Sequence, residues 1–531
     1  MISRKEQLKT IKKYPLWDFI IIGGGASGLG TALDSASRGY QTILFESVDF
    51  GKGTSSRSTK LIHGGIRYLA QGKYRLVKQA LEERGFLAKN AKHLFKKQKF
   101  IIPQYNWWLG LYYMIGLSIY NLLAGNLAIG KTKKLNRNNT IKKLPTLIRK
   151  NLSGGIVYHD GVFDDARLAV NLAQTAIEYG ATVINHIKVI DLLKDESGKL
   201  VGVIAKDKET GVNYKILSKV VLNATGVFAN KIMKLDGRNN YGLKIVPSQG
   251  VHLVLDSKFL ESNDALMIPK TSDGRVIFAI PWHKKLLVGT TDTPIKKPIY
   301  EPKALEEEIE FILSTADSYL SKKPKREDVL SVFAGLRPLV AFRGDKKHTK
   351  EISRGHKIIE SESGLISIIG GKWTTYRHMS EELVNMAIKA HGLDFKPCKT
   401  KQLSIHGNIN AEPQINSHLY VYGSDIPKVL DIINENPLFK EKIHPNYEYK
   451  IGEVVWCIRH EMARTLEDIL ARRIRLLFLD ARAAIESVPK IAEIMADELG
   501  KDSCWIQEQE KEFKKLAKNY VLSTSKLRKN D

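Results

Sequence analysis

Residues 17–28 read Trp17-Asp18-Phe19-Ile20-Ile21-Ile22-Gly23-Gly24-Gly25-Ala26-Ser27-Gly28. The β-branched run that closes in Ile22 predicts a short buried parallel strand. Gly23, Gly25 and Gly28 then stand at GxGxxG spacing. A Cβ at those positions would block a tight turn and the close approach of backbone amides to a pyrophosphate. The N-terminus of the following helix stabilises that negative charge. Leu29, Ala32, Leu33 and Ala36 give the predicted helix one apolar face. A second strand, Thr42-Ile43-Leu44-Phe45, ends in Glu46, 18 residues past Gly28. A Rossmann unit places there the acid that accepts a ribose hydroxyl. Strand, glycines, helix, strand and acid together predict a dinucleotide cradle, without deciding which dinucleotide it holds.

The cradle belongs to a chain of 531 residues. At roughly 150 residues per domain, that length suggests three or four domains. Hydrophobic residues make up 43% and charged residues 26%, which excludes disordered, collagen-like and disulfide-scaffold classes. Lys and Arg number 83 against 57 Asp and Glu, a net charge of +26 that calls for an anionic partner. Three cysteines, Cys398, Cys457 and Cys504, form no CxxC pair, which fits a reducing compartment. Residues 1–13 are polar and basic without an apolar core, so no secretory signal is read and a cytoplasmic protein is expected. His460-Glu461 is no zinc motif, because Arg464 stands where HExxH needs its second histidine. Asp164-Asp165 reads as a helix N-cap before Ala166.

The later stretches favour FAD over a nicotinamide. Residues 51–69 read GKGTSSRSTKLIHGGIRYL, rich in glycine and hydroxyl side chains, where a nicotinamide enzyme would continue into its next βα unit. Val220-Val221-Leu222-Asn223-Ala224-Thr225-Gly226 gives a further strand ending in a small-residue turn. Residues 364–377, GLISIIGGKWTTYR, place Thr374-Thr375 to open a helix whose N-terminus could face an anionic reduced flavin.

With these blocks the chain resembles the aerobic, FAD-dependent glycerol-3-phosphate dehydrogenases. The resemblance rests on IIGGGASGLG, TSSRSTKLIHGGIRYL, VFDDARL (162–168), NATG (223–226) and LLVGTTDTP (286–294). AGLRPLV (334–340), IIGGKWTTYR (368–377) and EMARTLEDILARRIRLLFLDARAA (461–484) complete it, in family order over nearly the whole chain. It implies oxidation of sn-glycerol 3-phosphate to dihydroxyacetone phosphate, with electrons passed through FAD to a membrane quinone. No large insertion of the kind found in the oxygen-using glycerophosphate oxidases is seen, and peroxide-forming oxidation is the nearest alternative. An FAD-dependent tRNA-modifying protein is the alternative of another class. Its positive charge would be clustered with aromatics, which this chain does not show, so no nucleic-acid partner is expected.

The resemblance also implies roles. Gly23, Gly25, Gly28, Glu46, Thr54, Ser55, Ser56, Lys60, His63, Gly64, Gly65, Ala224, Thr225, Gly226, Gly371, Thr374 and Thr375 are expected to hold FAD non-covalently. Arg67, Tyr68, Arg337, Arg354 and Lys372 resemble substrate-pocket residues, since arginine's planar fork suits a phosphate. His252, Arg337 and Lys372 are the catalytic candidates, with His252 the base; a satisfied strand histidine and, for Arg354, a solvated surface charge are the structural alternatives. No metal is expected.

The expected fold is α/β within an α+β whole. It combines a Rossmann-like FAD-binding domain of the glutathione-reductase/D-amino-acid-oxidase type, an antiparallel-sheet substrate cap and a C-terminal helical domain. The FAD domain takes 15–103, 150–245 and 355–390, the cap 246–354, and the helical domain 391–531. Val454, Ile458, Met462, Leu466, Ile469 and Leu470 recur at helical spacing there, as core or as the contact of a homodimer. Residues 511–531 read as a basic, frayed end. Residues 104–130 carry no charged side chain and are flanked by lysines on both sides. A single crossing would divide the cofactor domain between two compartments. The insertion is therefore expected to lie on an anionic membrane surface, at the cytoplasmic side of the cell membrane, and to line the quinone approach.

Overall fold

The computed structural model of the chain describes residues 3–69, 71–237, 243–269, 271, 274–342, 355–409 and 417–523, with backbone alone at 67, 107–109, 243–244 and 342. The strand Trp17–Ile22 lies at the centre of the first sheet. It pairs in parallel with Thr42–Phe45 on one side and Asn213–Asn223 on the other, in the register Ile22 to Phe45 and Ile22 to Asn223. Thr182–Ile184 and Ile366–Gly370 extend the parallel core, and His356–Glu360 adds an antiparallel edge. The helix Ala26–Ser37 covers this sheet, with Leu29, Ala32, Leu33 and Ala36 all buried. A sheet buried on both faces explains the unbroken apolar run of its central strand.

The second sheet is almost wholly antiparallel. Leu243–Asp256 runs between Ser331–Phe342 and Lys285–Gly289, and Ile277–Trp282 and Ala265–Ile268 continue it. The one parallel pair, Ala265–Ile268 with Lys96–Gln104, carries the sheet into Gly154–Val162, which flanking Leu61–Ile62 and Lys133–Asn136 join. Sequence patterning assigns these earlier strands to the cofactor unit. Their hydrogen bonds join them instead to the sheet expected as the cap, through a pairing between residues more than 150 positions apart that no local pattern carries.

The apolar insertion folds as a helix, Trp107–Leu123. No helix among the described residues is long and apolar enough to cross a membrane. Leu117, Tyr120 and Ala124 pack inward at helical spacing, while Leu111, Tyr112, Ile115 and Leu122 are each more than half exposed.

Two C-terminal expectations change. The stripe from Val454 to Leu470 is buried throughout, as core within the chain, but it does not lie on one helix. The helix Ile451–His460 stops, and Met462 adopts φ +54°. Glu461 turns inward there, gripping Arg167 through two bonds of 2.6 and 2.7 Å and accepting from Trp456 Nε1. The described part of the terminal stretch is also packed. The helix Ser503–Ala517 leads to buried Tyr520, whose hydroxyl bonds Arg57 and Glu301.

Buried charge seats these helices on the cofactor unit. Asp49, fully buried, accepts from Arg472 Nε at 2.5 Å, from Arg473 Nη2 at 2.9 Å and from Asn185 at 3.0 Å. Removing one partner of such a set strands the others in low dielectric. Asp49→Ala is predicted to destabilise the protein by roughly 3–5 kcal/mol, read from denaturant unfolding. An unchanged midpoint would mean that the helices dock by apolar contact alone.

Candidate functional site

The glycine turn follows its strand with little freedom. Gly23 has φ +110°, and a Cβ on Gly28 would lie 1.8 Å from the Gly23 carbonyl oxygen. Gly25 caps the helix Ala26–Ser37 without a side chain, so the helix N-terminus stays open to a ligand apart from the Ala26 amide, which donates to Ser55 Oγ at 3.0 Å. Across the turn, Glu46 Oε2 accepts from the Gly24 amide at 2.6 Å and Oε1 from the Val48 amide at 2.8 Å. Burial pushes this carboxyl upward, and those amides oppose the shift. Asn223 shapes the facing turn by accepting from Thr225 Oγ1 at 2.7 Å and donating to the Ala229 carbonyl.

These groups surround a cavity of about 570 Å³ lined by Gly23, Gly25, Glu46, Thr54, Ser55, Ala224, Thr225 and Gly226, and closed by Gly371, Lys372 and Trp373. A helix N-terminus without a side-chain cap, glycines where a Cβ would collide, and a carboxylate held at the strand end fit a dinucleotide.

A second cavity, about 300 Å³, shares Thr54, Pro338, Gly371, Lys372 and Trp373 with the first. Its wall brings together His63, Gly65, Tyr68, His252, Arg337, Lys372 and Thr374 from the expected set. Arg337 Nη2 donates to Thr290 Oγ1 at 3.1 Å, and Nη1 to the Gln249 carbonyl at 3.3 Å. Gly250 leaves room for this placement, since a Cβ there would stand 2.4 Å from the guanidinium and 2.6 Å from Thr290 Oγ1. Lys372 Nζ lies 5.2 Å above the Tyr68 ring. His252 stacks on Phe333 and places Nε2 3.0 Å from Thr59 Oγ1. Burial, then the charges of Lys60 and Arg337, hold its imidazole well below the usual histidine range, so it is neutral.

Other expected residues stand elsewhere. Gly28, Ser56, Lys60, Gly64 and Thr375 line neither cavity. Gly28 supports the turn from behind. Lys60 departs most from expectation: fully buried, it binds Asp165 through both carboxylate oxygens and the Ser56 carbonyl. Burial draws its ammonium down to about 7, against the pull of Asp165. Arg67 is described only in its backbone, within the helix Ile66–Leu69, and Arg354 lies outside the described residues. Asp164 caps the helix Asp165–Glu178 as expected, accepting from the Ala166 and Arg167 amides.

Arg57, Lys73, Asp160, Arg275 and Asp292 also line the second cavity and escaped sequence reading. Arg57 sits inside the quoted TSSRSTK block, and Asp160 is a lone acid within an apolar strand. Those were the available signals. Arg275 lies in a short loop without one.

The family described as FAD dependent oxidoreductase matches residues 18–377, and the one described as C-terminal domain of alpha-glycerophosphate oxidase matches 364–505. The mitochondrial glycerol-3-phosphate dehydrogenase of Mus musculus is 40% identical, over 94% of this chain and 72% of its own length. That of Schizosaccharomyces pombe is 37% identical, over 94% and 87%. Among solved structures, the glycerol-3-phosphate dehydrogenase from Bacillus halodurans complexed with FAD superposes with a TM-score of 0.81 at 30% identity, over 99% of this chain and 100% of that one.

Proposed function

The chain belongs to the FAD-dependent oxidoreductases, among the glycerol-3-phosphate dehydrogenases, and from that premise we propose how its residues do the work. The reaction is FAD-dependent oxidation of sn-glycerol 3-phosphate to dihydroxyacetone phosphate. The observation that carries the assignment of roles is the wall common to the two cavities. It puts a cationic chamber against the far end of a dinucleotide site. Bound FAD supplies the two-electron acceptor for the hydride that leaves C2. Gly23, Gly25, Thr54, Ser55, Thr225 and Gly226 hold the cofactor, and Glu46 receives a ribose hydroxyl.

In the second cavity Arg337 and Lys372 bind the phosphate. Arg337 is poised for this by a sheet strand and by Thr290, which hold its planar fork in one orientation. His252 takes the proton of the C2 hydroxyl. A neutral imidazole is the form that can accept it, and burial, helped by the charges of Lys60 and Arg337, keeps His252 in that form. Phe100, Phe278 and Trp373 give the chamber an apolar part of its lining.

The electrons pass on to a lipid-soluble quinone at an anionic membrane surface, on the cytoplasmic side. Support comes from the helix Trp107–Leu123, whose outward stripe of Leu111, Tyr112, Ile115, Ile119 and Leu122 is exposed and apolar. Lys96, Lys97 and Lys99 precede it and Lys131, Lys133 and Lys134 follow. Such a stripe between basic flanks suits an interfacial helix.

Arg337→Ala is predicted to keep its flavin absorbance while KM for sn-glycerol 3-phosphate rises roughly 10- to 150-fold, the scale of a hydrogen bond to a charged group. Loss of flavin with unchanged KM would assign Arg337 to the cofactor. Replacing Leu111, Ile115 and Leu122 by serine should release the protein from vesicles of anionic phospholipid while reduction of a soluble dye by substrate persists. Undiminished vesicle binding, or peroxide formation in place of quinone reduction by the unaltered protein, would overturn this part.

A further inference from the structure

Asp160 is a carboxylate in the wall of a chamber rich in cations, where it would repel a phosphate; the other described carboxylate there, Asp292, lies 3.7 Å from the Arg337 guanidinium. The neighbours of Asp160 account for it. Arg84, from the helix Tyr74–Asn90, donates to Asp160 Oδ1 at 2.7 Å. Tyr120, on the apolar helix, places its hydroxyl 2.9 Å from each Asp160 oxygen. The same hydroxyl accepts from the Gly64 amide at 2.6 Å. Asp160, Arg84 and Tyr120 are all at least 97% buried. The Gly64 amide belongs to no strand or helix, and a Cβ there would meet Leu81 at 2.7 Å and the Tyr120 ring at 2.8 Å. Next in the chain, Gly65 at φ +82° brings Tyr68 against its own backbone. One phenol therefore joins a buried carboxylate to the short segment that gives His63, Gly65 and Tyr68 to the cavity.

We propose that Tyr120 and Asp160 are a positioning pair for substrate binding: Asp160 orients the Tyr120 hydroxyl, and that hydroxyl fixes residues 63–68 through the Gly64 amide. This rests on reading the second cavity as the site for sn-glycerol 3-phosphate. Neither residue touches the reacting atoms. Their action is on the wall, and Arg84 neutralises the carboxylate so that the chamber stays attractive to a dianion. Among the described residues, the charged and titratable groups facing Asp160 are Arg84, Tyr120 and Lys372, with Tyr158 on its own strand. Burial raises the Asp160 carboxyl to about 6, against Arg84, Tyr120 and Lys372, which favour the ionised form. As pH falls through that value Asp160 gains a proton and its grip on Arg84 and Tyr120 weakens. Removing the Tyr120 hydroxyl takes away a bond that favours the carboxylate, so the titration moves to higher pH.

The test compares steady-state kinetics of the FAD-loaded protein and two variants with sn-glycerol 3-phosphate from pH 5 to 8. Tyr120→Phe should keep its flavin and its fold, with a lowered melting temperature because the Asp160 carboxylate and the Gly64 amide each lose a buried partner. Its KM should rise roughly tenfold, as for one hydrogen bond, with kcat nearly unchanged, and the acid limb of kcat/KM should shift upward. Asp160→Asn should reduce that limb to the part that the substrate phosphate's own ionisation produces. A Tyr120→Phe protein with normal flavin, KM and acid limb overturns the proposal. Should that variant fail to hold flavin, the Asp160→Asn profile decides: an acid limb as deep as the unaltered protein's overturns the proposal, and one reduced to the ionisation of the substrate phosphate supports it. An unaltered protein that does not turn over the substrate would sink the reading of the cavity, and the pair with it. An active one with unmoved variants sinks the pair alone.

Discussion

Two cavities meet at one wall, made by Thr54, Pro338 and the run Gly371-Lys372-Trp373. The end of the dinucleotide cradle and the cationic chamber are therefore lined in part by the same residues. The wall is a tie between distant chain segments. Trp373 Nε1 donates to the Ser55 carbonyl at 2.7 Å, Thr54 Oγ1 to the Leu336 carbonyl at 2.6 Å, and the His63 amide to Thr374 Oγ1 at 3.2 Å. Gly370 and Gly371, at φ +87° and +90°, let the chain turn sharply enough to reach it, and a Cβ on Gly371 would run into Met379. Parallel sheet, antiparallel sheet and glycine-rich loop each contribute one side, so the adjacency survives only while all three stay docked.

That docking depends on buried charge as well as on apolar area. The loop at 49–57 is pinned from below by Asp49 on Arg472 and Arg473, by Lys52 on Glu467 and Glu301, and by Arg57 on Glu301 and Tyr520. Lys60, Asp165 and Arg475 continue the set under the chamber. Buried ion pairs of this kind stabilise little against an apolar alternative, yet breaking one is costly, so they specify arrangement more than they add stability. The C-terminal helices thus act on the site without entering it.

What the sequence made legible follows from range. The cradle could be read because glycine spacing, an apolar strand and a terminal acid are local constraints, each satisfied within about 30 residues as a βαβ unit requires. His252 and Arg337 were reachable only through resemblance, since a histidine or arginine on a strand looks the same whether it faces a cavity or a neighbour. Lys60 sat in the right block but turned to Asp165, a partner more than 100 positions away. Asp160 and Arg275 were missed because the parallel pairing of Ala265–Ile268 with Lys96–Gln104, which joins their parts of the second sheet, spans more than 150 positions. The break at Glu461 was invisible because the apolar spacing continues across it, while Arg167, the residue that pulls Glu461 inward, lies in another layer.

On the proposed reading, reduction of the bound flavin requires an anionic three-carbon alcohol seated in the second chamber. Titrating the oxidised, FAD-loaded protein anaerobically with sn-glycerol 3-phosphate, and in parallel with glycerol, addresses it most directly. The account predicts that the visible flavin absorbance bleaches in step with added phosphoester and that glycerol at the same concentration leaves the colour intact. Colour that persists with the phosphoester, or bleaches equally with glycerol, would contradict it.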